Sequence, residues 1–384
     1  MEPESIISTI LKHDKKVNTY KFALLRAIND VALSFPDLRS FDRDVAVPLK
    51  LLAQFWVAYY WPFVKPNQPI LQGQRATQGN ELRNDMAFRP QLTELRRIWE
   101  QIIGGVSHPS DGFFLINELR IFRRYQTYPE ELHRAFRQSL TAIAKTIEMP
   151  VRYAGPGNWT VFAKPIKYSD IDSSVVAIPG TQPTDKCLII SSQLWKTFQK
   201  MFLWIEALCI HEWSMFSERV EQENQQKMYR GFIYQLLTDR PDNRRSLTWE
   251  RNYVDLLLME NKEFICPWTE KRITNGTKYD LDHLLPLSLY PINELWNLVP
   301  ADPDFNSHKK RDRLPQPEKL QQAKPHLELA YSQYGTSESL ATALKSDAAL
   351  RFSTLSGDVF PTALANAVVN LIDIVGESRN IARF

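Results

Sequence analysis

The sequence predicts an α+β protein that is predominantly α-helical, a helical scaffold with a small β excursion and a short hairpin–helix module in its C-terminal half. Three observations carry that reading. Apolar residues recur at helical spacing through most of residues 1–150 and again beyond Pro315. Between Pro150 and Ser191 the chain turns to Gly, Pro and β-branched residues. Finally, Tyr279-Asp280-Leu281-Asp282 alternates as a strand does, and a Lys-rich helix start follows about two dozen residues on. The expected division is a helical N-terminal domain over 1–150, then a β segment plus long helix over 151–240 for targeting or partner contact. The module occupies 241–315, and C-terminal helices occupy 316–384.

Asn18-Thr19 caps a helix whose apolar positions are Phe22, Leu25, Ile28 and Leu33. Pro48 opens a second, LKLLAQFWVAYYW, which stops at Pro62. LTELRRIWEQII ends at Gly104-Gly105, a common C-terminal signal. DGFFLINELRIFRRYQ and a helix with Pro129 at its first turn complete this region. Short strands are expected at Trp159–Ala163, Val175–Ile178 and Cys187–Ile190, followed by one long helix from Ser192 to about Gln226. Leu236 to Ser246 is polar and turn-forming, and reads as a linker. LTWERNYVDLLLMEN leads into the module, and helices at about 317–333, 337–350 and 359–375 close the chain.

Some features invite function but read as structure. The aromatic run Phe55, Trp56, Tyr59, Tyr60, Trp61 and Phe63 has the composition of a base-stacking surface, but aromatics dominate ordinary cores. Arg120, Arg123, Arg124, Arg134 and Arg137 suit either a DNA backbone or local acidic partners, and the latter is the simpler reading. His211-Glu212 lacks a second His four positions on, so the zinc-protease pattern is absent.

The net charge of +3 over 384 residues rules out a global polycation, so any nucleic-acid surface must be a local patch. Three widely spaced cysteines, Cys187, Cys209 and Cys266, fit a reduced compartment better than a disulfide framework. The N-terminus lacks the apolar core of a signal peptide, and no apolar run reaches the ~18 residues of a membrane span. The expectation is a cytoplasmic protein with no membrane association.

The chemistry concentrates in Phe264 to Pro315. Asp282-His283 closes a short run, Asn297 follows fourteen positions after His283, and Asn306 nine after that. Phosphodiester hydrolysis needs a hard cation beside the phosphate and a base for water. Asp282 and Asn306 offer the oxygen ligands Mg²⁺ prefers. His283, with an unperturbed pKa of ~6.5, can serve as a neutral base. On an α-helix of ~100° per residue Asn306, Lys309 and Arg313 share a face with Lys310 close to it, while His308 points ~200° away. His308 ranks as the rival ligand, with a phosphate contact, a supporting place behind the site or a solvent-facing position left open, and Lys309, Lys310 and Arg313 are the phosphate-binding candidates.

At these positions the segment resembles an HNH endonuclease module, the ββα-metal nuclease fold. The phrases DHLLPLS, LWNLVPAD and NSHKKRDRLP resemble a bacterial subgroup associated with restriction and defence. The resemblance covers roughly fifty residues, and it implies His283 as general base, Asn297 as the brace of its loop, and Asp282 and Asn306 as metal ligands. Many relatives add two CxxC pairs around a structural zinc. Here Cys266 stands alone, so no structural four-cysteine zinc is expected and Trp268, Leu281, Leu284, Leu295, Trp296 and Leu298 must hold the module by packing.

The implied function is a metal-dependent DNA endonuclease using Mg²⁺ (or Mn²⁺) on double-stranded DNA. A homodimer or a defence-system protein is the expected partner. The alternatives are a homing or mobile-element nuclease, an RNase effector, or a catalytically gated nucleic-acid-binding subunit. Intact Asp282, His283 and Asn306 speak against the last.

Overall fold

The first helical layer follows the local signals closely. Tyr20–Ser34 (α1) starts where the Asn18 side-chain oxygen accepts the Tyr20 N–H at 3.2 Å. Leu49–Tyr60 (α2) opens at Pro48, and Arg89–Ile103 (α3) ends on Gly104 at φ +66. Asp111–Arg120 (α4) precedes Glu130–Arg152 (α5), which begins behind Pro129 and packs against α2 and α3. Trp56, Tyr59, Tyr60, Trp61 and Phe63 are buried in this layer, so the aromatic run is core rather than a stacking surface. The computed structural model describes the chain except positions 1, 37, 39–41, 75–76, 79–80, 224–228, 240–245, 288–292, 353–354 and 356–359.

The chain divides into two compact units, one of Met1–Glu118 with Gln126–Pro241, the other of Leu119–Tyr125 with Asp242–Phe384. In the first, the β excursion is one side of a four-stranded sheet. Ile166–Lys167 (β2), Lys186–Ile190 (β4), Val45–Pro48 (β1) and Val176–Ala177 (β3) lie in that order. The β1–β4 pair is antiparallel and the β1–β3 pair parallel. The strand expected at Trp159–Ala163 is loop, with Trp159 at a left-handed φ of +58, and pairing begins at Ile166 instead. The single long helix expected from Ser192 is two, Ser192–Lys200 (α6) and Phe202–Glu223 (α7), separated at Met201. His211 is an exposed residue of α7, and Arg230–Thr238 (α8) packs beside it. Most of the expected linker, 240–245, lies outside the described residues.

The second unit contains Thr248–Met259 (α9), the hairpin Phe264–Ile265 (β5) with Arg272–Ile273 (β6), and a second hairpin. That hairpin pairs Asp280–His283 (β7) antiparallel to Leu298–Ala301 (β8), with His283 opposite Leu298 and Asp280 opposite Ala301. Helical turns Pro303–Phe305 and Asn306–Lys310 follow β8. Pro317–Tyr334 (α10), Glu338–Arg351 (α11) and Phe360–Arg379 (α12) complete the unit within a residue or a few of the expected helix boundaries.

One continuous core joins these helices to Cys266, Trp268, Leu281, Leu284, Leu295 and Trp296, and Leu298 is likewise buried. On α10, Tyr331 and Tyr334 lie three residues apart, on one face. Their hydroxyls donate to the carbonyls of Trp296 (2.6 Å) and Leu298 (3.0 Å), pinning the backbone on either side of Asn297.

One close helix contact in the first unit is glycine-dependent. A Cβ at Gly112 would stand 2.8 Å from both Ala58 Cα and Trp61 Cβ. Gly112→Ala is therefore expected to destabilise the protein by about 1–3 kcal/mol through overpacking. Chemical denaturation checks it, and an unchanged midpoint would mean that α2 and α4 separate at no cost.

Candidate active site

The β7 alternation sets the site. Along a strand successive side chains point to opposite faces, so Asp280 and Asp282 share one face and Leu281 turns toward the core. The Asn306–Lys310 turn meets the Asp280–Asp282 face. Asn306 Nδ2 donates to Asp280 Oδ2 at 3.3 Å, and Lys310 Nζ donates to Asp282 Oδ1 at 2.9 Å and to the His283 carbonyl at 2.7 Å. Trp268 Nε1 donates to the other Asp282 oxygen at 2.7 Å. Asp282 and Lys310 are 4% and 1% exposed, so this is a buried ion pair whose charges are each matched by hydrogen bonds.

The helix geometry differs from expectation in two ways. The helical segment begins at Pro303, capped by Asp302, whose Oδ1 accepts the Asp304 N–H at 3.2 Å. Asn306 is thus in its second turn rather than at its start. The turn from Asn306 is also wider than an α-turn, with the Arg311 N–H reaching the Asn306 carbonyl at 3.0 Å. Arg311 then leaves at φ +48. As a result the residue beside Asn306 over the strand is Lys310, four positions on. Lys309 and His308 are exposed, with His308 Nδ1 3.1 Å from the Asp304 carbonyl. The half-buried Arg313 folds its guanidinium back onto the Lys309 carbonyl.

His283 lies at the strand end, partly exposed, with Nε2 2.6 Å from Asn293 Oδ1. Asn297 is fully buried. Its Oδ1 accepts the Leu285 N–H at 2.8 Å, its Nδ2 donates to the Leu285 carbonyl at 3.1 Å, and its carbonyl accepts the Leu284 N–H at 2.9 Å. The residues that follow His283 are thereby clamped to the start of β8. Cys266 Sγ accepts the Asp302 N–H at 3.3 Å, a small buried group that fastens the β5 side of the module to the cap of the helical turn.

An ionic cluster backs the 293–297 loop. Arg123 donates to Asp347 (2.5 Å) and Glu250 (3.0 Å), with its guanidinium 5.1 Å from the Trp249 ring centre. Asp347 also accepts the Leu295 N–H at 2.8 Å. Arg120 lies 3.5 Å from Glu294, which accepts the Trp296 indole N–H. Burial pushes the Glu294 carboxyl up to about 7, against the pull of Arg120.

Sequence reasoning missed Asp280, Asn293 and this cluster. The Asp280–Asp282 alternation is a readable signal for the first; nothing in the local pattern marks Asn293. The oxygen donors gathered here, two carboxylates and an amide, fit a hard divalent cation that keeps several waters. Among the described residues no group of three or more His, Cys, Asp and Glu forms a closed cage. For Asp282, a cation would have to share the carboxylate with Lys310.

Residues 2–237 match the family model for a domain of unknown function (DUF8808), and residues 266–316 match the model described as HNH endonuclease. No curated protein and no solved structure matches the chain.

Two outcomes follow from the buried charges. Asp282→Asn leaves the Lys310 ammonium without its countercharge and is expected to cost about 3–5 kcal/mol of stability. Asp280→Asn, at a half-buried position, should cost far less; equal losses in urea titrations would refute the distinction. Glu294 holds a proton when folded that the unfolded chain releases near ~4.3. That contribution is full below the unfolded value and is lost as pH rises toward 7. Glu294→Gln should flatten the fall of Tm between about pH 4.5 and 7. Parallel Tm profiles for the two proteins would exclude Glu294 as the source.

Proposed function

Given that the chain belongs to the DUF8808 family and carries an HNH endonuclease module at residues 266–316, we propose that it is a metal-dependent DNA endonuclease of bacterial restriction or anti-phage defence. The observation that carries the proposal is the strand–turn arrangement of β7. It joins an oxygen-rich face of Asp280, Asp282 and the Asn306 amide to an imidazole, His283, at the end of the same strand.

In this reading Asp282 and Asn306 would hold Mg²⁺ or Mn²⁺, with Asp280 beside them, and a cation there would supply Lewis-acid stabilisation of the negative charge that develops on the phosphate and the departing 3′ oxygen. His283 accepts the proton of the attacking water. Asn297 keeps the Leu284-Leu285 backbone in place, so the imidazole is presented from a fixed strand end. Exposed Lys309 and the neighbouring Arg313 attract the phosphate backbone, a contact that positions without reading sequence. Lys310 acts differently from its neighbours. Its ammonium holds Asp282 and the His283 carbonyl in register, a task internal to the protein. One such site cuts one strand per engagement, so a double-strand break requires a second copy or two successive nicks.

Supercoiled plasmid incubated with the protein and Mg²⁺ or Mn²⁺ is expected to be nicked or linearised. His283→Ala should abolish cleavage while DNA affinity and Tm change little. Cleavage that persists in the mutant would remove His283 from the role of base. Asn306→Ala is expected to weaken metal binding measured calorimetrically, and His308→Ala to do so less. The reverse ranking would make His308 the ligand.

A further inference from the structure

We infer that Asn293 is the positioning residue for the His283 imidazole, an assignment that rests on reading His283 as the base. A side-chain amide oxygen can only accept a hydrogen bond. At 2.6 Å from Asn293 Oδ1, His283 Nε2 must be the donor. The amide therefore selects the tautomer with the proton on Nε2 and assigns the basic lone pair to Nδ1. A neutral imidazole has two tautomers, and a short hydrogen bond from Nε2 to a fixed acceptor favours one of them and one ring orientation.

The partner is fixed. Asn293 is 4% exposed, its carbonyl lies 3.5 Å from Arg123 Nη2, and the residues that follow it are tied down. Glu294 is held by Arg120 and the Trp296 indole, and the Leu295 N–H by Asp347, the same carboxylate that binds Arg123. Tyr331 holds the Trp296 carbonyl. Asn293 thus projects from a segment anchored by two arginines, the Asp347 carboxylate and a tyrosine. Asn297, four positions later, anchors the chain that follows His283. The two asparagines of one loop divide the labour: Asn297 places the backbone beyond the base, and Asn293 sets its ring.

The test uses the full chain labelled with ¹⁵N-histidine. Two-bond ¹H–¹⁵N spectra, with the His283 signals identified by their loss in His283→Ala, report the tautomer directly. The wild type should show a protonated Nε2 and a lone pair on Nδ1. Asn293→Leu, of similar shape but without an acceptor, should mix the tautomers. It should lower kcat about 10–100-fold, the range typical for a lost orienting partner, with KM and metal affinity unchanged. Asn293→Asp, which restores the acceptor oxygen, should recover both the tautomer and most of kcat. A wild-type proton on Nδ1, or an Asn293→Leu protein with unaltered tautomer, overturns the inference. Should the wild type cleave no nucleic acid, the proposed activity fails while the spectra still decide the role of Asn293.

Discussion

A lysine ammonium taken out of water organises the second unit. Its desolvation is costly, and it is tolerated because a carboxylate, a strand carbonyl and, through the carboxylate, an indole N–H complete the arrangement around it. Because Lys310 reaches the last two residues of β7 at once, the Asn306–Lys310 turn has one docking position over the strand. Asn306 is carried to Asp280 by that same docking. The geometry of the candidate site is thus a by-product of solving an electrostatic problem beneath it.

The opposite side of His283 is organised by a separate charge cluster. Arg120 and Arg123 gather Glu294, Glu250 and Asp347, and two tyrosines of α10 grip the adjoining carbonyls. These groups lie beneath residues 293–297, whose regular structure is the short turn Leu295–Asn297. Rigid supports under an irregular segment are a common way to hold reactive side chains, since loops offer freedom of placement and the scaffold removes freedom of motion.

What is legible in the sequence is short-range. The strand ending in Asp282-His283, the helices at each end of the chain and the burial of Trp268, Leu281 and Trp296 all follow from patterns within a dozen residues. Val45–Pro48 is not legible, because its partners lie more than a hundred positions away and four residues carry too little alternation. Regular α-helical spacing makes Lys310 a surface cation, whereas the turn is wider and the helical segment starts three residues earlier. Local pattern pairs Arg123 with nearby acids; its partner Asp347 is 224 positions away, beyond any periodicity. Asn293 carries no sequence signal at all, since a single asparagine between two strands is ordinary until its neighbour in space is known.

The seven residues Leu119–Tyr125 carry a last consequence. They belong to the nuclease-bearing unit, yet Gln126–Pro241 separates them from the remainder of it along the chain. A ribosome delivers Arg120 and Arg123 long before the acids they pair with, so Glu250, Glu294 and Asp347 enter the nascent unit with their arginines already present. The unit is therefore no contiguous cassette. A gene fragment beginning after Pro241 would carry the three acids into a core without their arginines, and recombination at that boundary would pass on a nuclease with its loop unsupported. Heredity has reason to move the two halves of this chain together.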